Sequence, residues 1–184
     1  MASKEPVSKS GIQKMQAPSV WISRFAKLAP KGGQVLDLAC GSGRHCDYFL
    51  DLGHPVTAVD RDVRKLTPRD RLEIIQHDLE GGGPWPLENR QFSAVVVVNF
   101  LFRPLLPTLI SSVAPGGLLL YDTFAVGNEA FGRPNNPDFL LQAGELKAVV
   151  AEELSILNYF HGPLEQPKPA IKQQICARRP LKTG

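Results

Sequence analysis

The sequence predicts an α/β fold: a doubly wound, mostly parallel sheet of seven strands with an antiparallel last strand and helices on both faces. Three observations lead there. Short apolar runs alternate with helix-spaced segments through the first five strands, the pattern of parallel strands joined by crossovers. One joint, Val35-Leu36-Asp37-Leu38-Ala39-Cys40-Gly41-Ser42-Gly43-Arg44-His45, runs from a strand through a Gly-Ser-Gly turn into a helix. Polar residues stand at successive strand ends (Asp37, Asp60, Asp78, Asn99), where such a sheet gathers them into one crevice beyond its carboxyl edge.

Residues 1–17 show no periodicity and read as a flexible N-terminal segment, with a single domain over 18–184. Pro18-Ser19 opens a helix on which Trp21, Phe25 and Leu28 share a stripe. The first strand, 34–38, is apolar enough for burial on both faces. A helix follows from Arg44 to Leu52, with Phe49 and Leu52 inward and Gly53 as its stop. Strands are expected at 55–59 and 72–76, then a loop around Gly81-Gly82-Gly83-Pro84. The four valines within 92–98 mark the fourth strand, and 104–113 reads as a helix with Pro104 in its first turn. Pro115-Gly116-Gly117 turns the chain into a fifth strand at 118–121. The stretch 122–142, rich in Gly, Pro and Asn, is a long loop of the kind that is functional or disordered in compact domains. A helix at 144–151 precedes two strands, 154–160 and 171–177, joined through a Pro-containing turn as an antiparallel pair.

Composition narrows the function classes. The 184 residues are 43% apolar and 21% charged, ordinary for a globular protein. A formal charge of +3 without a clustered basic face argues against nucleic acid as partner. Three cysteines without a CxxC pair form neither a disulfide framework nor a zinc site, so no metal is expected and a reducing cytoplasm fits. No apolar run reaches spanning length, and no hydrophobic leader is visible, so no membrane association is expected.

The ligand is read from the carboxylates. Asp60, about 20 residues beyond the glycine turn, is placed to accept hydrogen bonds from ribose hydroxyls. A dinucleotide site would carry a third glycine where Cys46 stands. Asp37 before the turn would oppose a pyrophosphate but suits a ligand bearing positive charge. No phosphate loop of the G-x-x-x-x-G-K-[ST] kind is present.

Asp37-x-Ala39-x-Gly41-x-Gly43, followed by Val56-Thr57-Ala58-Val59-Asp60-Arg61-Asp62, resembles the first motifs of class I S-adenosylmethionine-dependent methyltransferases, in their bacterial small-molecule, tellurite-resistance-type branch. The resemblance covers roughly residues 18 to 178, with Ala39 replacing the first glycine of the motif. It implies a methyltransferase domain with S-adenosyl-L-methionine as cofactor. Asp37 would lie near the methionine end, and Ala39, Gly41, Ser42 and Gly43 would let the cofactor rest against backbone. Asp60 would hold the ribose, Arg61 would cover the adenine, Asp78 and the Leu79 N–H would meet its edge, and Asn99 would contact the methionine moiety.

Methyl transfer from a sulfonium needs positioning more than acid–base machinery, and no catalytic base is assigned. Base-modifying relatives resemble [D/N]-P-P-[F/Y/W] after the fourth strand; Asn99-Phe100-Leu101-Phe102 lacks both prolines. A small-molecule acceptor is therefore expected, with RNA or protein acceptors not excluded. The alternatives are a nicotinamide-dependent oxidoreductase and a non-catalytic, methyltransferase-like binding subunit. The 122–142 loop reads either as a substrate lid or as an ordered surface loop with Phe131 in the core. Trp21 reads as core, Arg24 as free to meet a carboxylate, His45 as structural, Cys40 and Cys46 as packing residues, and Tyr159 and His161 as near the substrate mouth.

Overall fold

The structure, a computed structural model, describes residues 17–181. The segment 1–17, expected to be flexible, lies outside the described residues except for Ala17. Five parallel strands come first: β1 (Val35–Leu38), β2 (Val56–Asp60), β3 (Leu72–Gln76), β4 (Phe92–Val98) and β5 (Val113–Phe124). Two more follow, β6 (Ser155–Leu164) and β7 (Ala170–Arg178). The order across the sheet is β3-β2-β1-β4-β5-β7-β6, with β7 antiparallel to both its neighbours. From β1 the chain winds outward to β2 and β3, then returns to β4 on the other side. That reversal makes the carboxyl ends of β1 and β4 the switch point at which open α/β sheets take ligands.

The period-2 alternation of each strand divides the core. Val35, Ala58, Val96 and Leu120 pack with Trp21, Ile22 and Phe25 of α1 (Val20–Phe25) and Phe49 and Leu50 of α2 (Arg44–Asp51). Leu36, Leu38, Val97 and Tyr121 face the other way, against α3 (Leu106–Ser111) and α4 (Glu145–Val150). Every position of β4 is buried and all but Ser93 are apolar, as a strand covered on both faces requires.

Several boundaries differ from the sequence expectation. The first helix tightens to a 3₁₀ turn at Ala26–Leu28, which leaves Leu28 exposed rather than in the stripe. The helix expected over 104–113 is a 3₁₀ turn, Arg103–Leu105, followed by α3; Pro107 in the first turn of α3 removes a donor no helix partner needs. β5 begins at Val113, because Pro115-Gly116-Gly117 forms an irregularity within the β4–β5 ladder instead of a turn. A Cβ on Gly117 would stand 2.8 Å from the carbonyl oxygens of Ala114 and Phe92, so only glycine lets the strands stay this close. No α-helix separates β2 from β3 or β3 from β4, and β3 remains a half-buried edge.

The long loop starts at Ala125 and is ordered by its own hydrogen bonds. Val126 N–H donates to the Leu141 carbonyl and Leu141 N–H to the Phe124 carbonyl. Phe131 is 52% exposed, so the core anchor is not Phe131 but Asn128, at 2%. Asn128 accepts from the Ile171 N–H at 3.2 Å and donates to the Pro134 carbonyl at 2.9 Å. Asn128→Ala leaves those two backbone groups without a partner. We expect it to lower stability by about 1–3 kcal/mol in urea unfolding and to speed chymotryptic cleavage after Phe131.

Candidate functional site

The joint after β1 dictates the site. Ala39, Gly41 and Gly43 have φ of 51°, 58° and 80°, and this left-handed path returns the chain tightly to the start of α2. Gly41 and Gly43 adopt it freely; Ala39 adopts it against the clash of its own Cβ. The turn is tied to β2 by the Gly41 N–H, which donates to Asp60 Oδ2 at 2.8 Å. Asp60 Oδ1 accepts from the Asp62 N–H at 2.9 Å. Each oxygen keeps a second lone pair, so the carboxylate retains capacity for two more donors.

A cavity of about 280 Å³ opens beside this tie, lined by Ala39, Asp60, Arg61, His77, Asp78, Leu79, Glu80 and Phe100. It is near the lower end of the ~300–1,000 Å³ of small-molecule sites. The structure thus brings together Ala39, Asp60, Arg61, Asp78 and Leu79 of the expected set. Gly41 and Ser42 are exposed outside that lining, and Asn99 is exposed at the end of β4. Gly43 is buried, and Asp37 is withdrawn beneath the turn at 1% exposure. Asp78 also closes its own turn, accepting from the Glu80 N–H at 3.0 Å. His77, Glu80 and Phe100 are lining residues that sequence reasoning did not single out. Phe100 follows Asn99 directly, and its carbonyl is held by the Tyr121 hydroxyl at 3.0 Å.

Beneath and beside the turn lies a buried polar line. Asp37 Oδ2 accepts from the Cys46 thiol at 3.1 Å. Burial raises the Asp37 carboxyl to about 7 against the lowering effect of that bond. His45 Nε2 accepts from the Ser19 N–H at 3.1 Å, which assigns the proton to Nδ1, 3.9 Å from Asp37 Oδ1. Burial, with the Arg44 cation second, lowers His45 to about 4. The neutral ring makes no ion pair with Asp37. The neighbouring Cys40 and burial push the Cys46 thiol well above the usual range, as suits a packing residue. Ser19 does not cap α1 with its side chain; its hydroxyl donates instead to Asp122 Oδ2 at 2.6 Å.

The remaining expectations separate cleanly. Trp21 is core at 6% exposure, with its indole N–H donated to the Ile175 carbonyl. Arg24 is exposed, stacked over Phe25. Tyr159 donates to Gln173 Oε1 at 3.1 Å, and His161 is exposed on β6. Among the described residues no helix is long and apolar enough to cross a membrane.

Comparison with known proteins gives a consistent picture. The family model described as "Tellurite resistance protein TehB" matches residues 22–161. No curated protein matches. Among solved structures, TehB from Haemophilus influenzae is similar with a TM-score of 0.64 and 20% identity, covering 86% of this chain. This chain spans only 60% of the Haemophilus chain. A TehB-like SAM-dependent methyltransferase from Corynebacterium glutamicum has a TM-score of 0.58 at 18% identity, with 84% of each chain covered. The 1,6-didemethyltoxoflavin-N1-methyltransferase of Burkholderia thailandensis, solved with S-adenosylhomocysteine, has a TM-score of 0.58 at 16% identity. It covers 88% of this chain and 75% of its own.

Two stability outcomes follow from the site. Ala39→Gly relieves the left-handed strain and raises stability by about 1 kcal/mol, a gain of ~2–4 °C in Tm for a domain of this size. Asp37 and His45 oppose one another in pH. The raised Asp37 value gives stability that is present below the ordinary carboxylate range and lost as pH rises through about 7. The lowered His45 value gives stability that is present above 6.5 and lost as pH falls toward about 4. Asp37→Asn therefore unmasks the histidine. Its stability should climb from pH 4 to 6.5 more steeply than that of the wild type, measured by urea unfolding across that range.

Proposed function

The chain belongs to the TehB family of tellurite resistance proteins, and on that premise we propose that it is an S-adenosylmethionine-dependent methyltransferase acting on a small-molecule acceptor. The observation that carries this reading is the Asp60–Gly41 tie at the mouth of a cavity on the switch point. The residues present fit the cofactor. A Cβ on Gly41 would meet nothing within 4 Å, so the turn presents bare backbone to open space. Asp60 has lone pairs left for a cis-diol, and the cavity continues past it to Asp78 and Leu79.

When bound, the cofactor supplies a methyl group already activated on a sulfonium. The protein's share is to bind and orient. Asp60 would accept from the ribose hydroxyls, and Arg61 would cover the adenine. Asp78 would accept from the adenine amino group, and the Leu79 N–H would donate to a ring nitrogen. Asn99, exposed where β4 ends, would contact the methionine moiety. Asp37, which accepts from the Cys46 thiol beneath the turn, is the acidic group assigned to the positively charged methionine end. Holding the acceptor in line is worth several kcal/mol of the barrier, which is why no acid–base dyad is required. The Burkholderia methyltransferase is named for and holds 1,6-didemethyltoxoflavin, a small molecule, the size class assigned here. RNA is disfavoured by the modest charge of +3.

Isothermal calorimetry with S-adenosylhomocysteine tests the reading. The full chain should bind it, and Asp60→Ala, checked for folding by circular dichroism, should bind roughly tenfold more weakly or worse through lost charge-assisted hydrogen bonds. Binding of NADH in place of the homocysteine compound, or Asp60→Ala binding as tightly as wild type, overturns it.

A further inference from the structure

Lys172, on β7, is a buried cation that the proposed cofactor contacts do not use. It is 8% exposed. In the β5–β7 register it stands opposite Phe124, and its ammonium lies 3.8 Å from the centre of that ring. From there it reaches two other strand ends. It donates to Asn99 Oδ1 at the end of β4, and it lies 3.4 Å from Asp122 Oδ1 on β5. Asp122 is itself 5% exposed; Oδ2 is occupied by Ser19, while Oδ1 has no hydrogen-bond partner beyond this ion pair. The Asn99 N–H also donates to the Asp122 carbonyl at 2.9 Å, so the two strand ends are already adjacent along the backbone.

Packing alone does not call for an ammonium here. A methionine would fill much the same volume without the several kcal/mol of desolvation that a buried charge carries. Burial lowers the Lys172 pKa, and Asp122 acts against that shift and favours the charged form. Besides pairing with Asp122, what the ammonium does that a methionine cannot is orient Asn99. Asn99 is exposed, with a left-handed φ of 58°. Among the described residues its side chain has no other hydrogen bond than the one from Lys172. An amide whose oxygen is taken by a cation behind it presents its NH₂ outward.

We propose that Lys172 is a positioning residue: from behind Asn99 it fixes that amide, oxygen inward and NH₂ toward the site, so that cofactor affinity depends on Lys172 without Lys172 touching the cofactor. This rests on the cofactor reading above. It gives the last strand pair a task in the site, and it makes the group Asn99 offers a donor rather than an acceptor.

The test is a double-mutant cycle on the full chain, with S-adenosylhomocysteine as the probe in calorimetry and a thermal melt for each variant. Glycine is chosen at 99 because it tolerates the positive φ. Lys172→Met and Asn99→Gly should each weaken binding roughly fivefold to tenfold, and the double variant should bind no more weakly than Asn99→Gly alone. Binding by Lys172→Met as tight as wild type overturns the proposal. Losses that multiply in the double variant also overturn it, by making Lys172 a direct ligand. Should Lys172→Met unfold because Asp122 is left buried and unpaired, Lys172→Met/Asp122→Asn removes both charges and takes its place in the cycle. Unfolding of that variant too overturns the proposal in favour of a purely structural lysine. A wild type that does not bind the probe overturns the cofactor reading itself; a wild type that binds, with Lys172→Met unchanged, overturns this inference alone.

Discussion

The hydrogen bond from the Gly41 N–H to Asp60 Oδ2 extends the β1–β2 pairing into the turn after β1, beyond the last backbone bond between them, from the Cys40 N–H to the Val59 carbonyl. It is charge-assisted, hence among the stronger bonds available to a backbone N–H. It can form only because the chain turns left-handed at Ala39, Gly41 and Gly43. Once the turn is held, α2 starts in one place, and its first residues, His45 and Cys46, come down over Asp37. The exposed edge of the turn, the buried shell below it and the cavity beside it meet at that tie, which the Gly43 N–H to Cys40 carbonyl bond braces within the turn.

Below the tie the polar groups run continuously from Asp37 through His45, Ser19 and Asp122 to Lys172 and Asn99. They link α2, the start of α1, β5, β7 and β4, so the crevice is lined by strand ends that cannot shift independently. The buried members of this line, Asp37, His45, Asp122 and Lys172, are held by their partners, because each would be expensive alone. Ser19 shows the trade. A serine before a helix ordinarily caps it, but here the hydroxyl goes to Asp122 and α1 is left without a side-chain cap.

The sheet is thinly dressed at its β3 edge. Without helices between β2, β3 and β4, the ends of these strands lead directly into loops, and the loop carrying His77 to Glu80 becomes a wall of the cavity. The opposite end is better tethered: Asn128 ties the long loop to β7, and Arg103 donates to Glu145 and to the carbonyls of Asp138 and Leu140. The loop expected to be either lid or ordered surface is ordered here through a buried asparagine, while its two phenylalanines, Phe131 and Phe139, stand outward.

Elements whose signals are local could be read without the fold. The valine run of β4 and the limits of β3 were legible because side-chain alternation and flanking turns act within a few residues. The glycine turn and Asp60 were legible because their spacing follows from one strand–turn–helix–strand unit. The seven-stranded class followed from counting the seven apolar runs. Features that depend on register and insertion emerge in the folded sheet alone. That Pro115-Gly116-Gly117 lies within a ladder depends on β4 being alongside. That Lys172 meets Asn99 and Asp122 depends on β7 entering between β5 and β6, with Phe124 opposite Lys172. That Asp37 is buried rather than facing the cavity depends on how closely α2 sits on β1. Periodicity reports which face a residue occupies; which residue of a distant strand it meets is set by non-local pairing, and that leaves no mark in the local pattern.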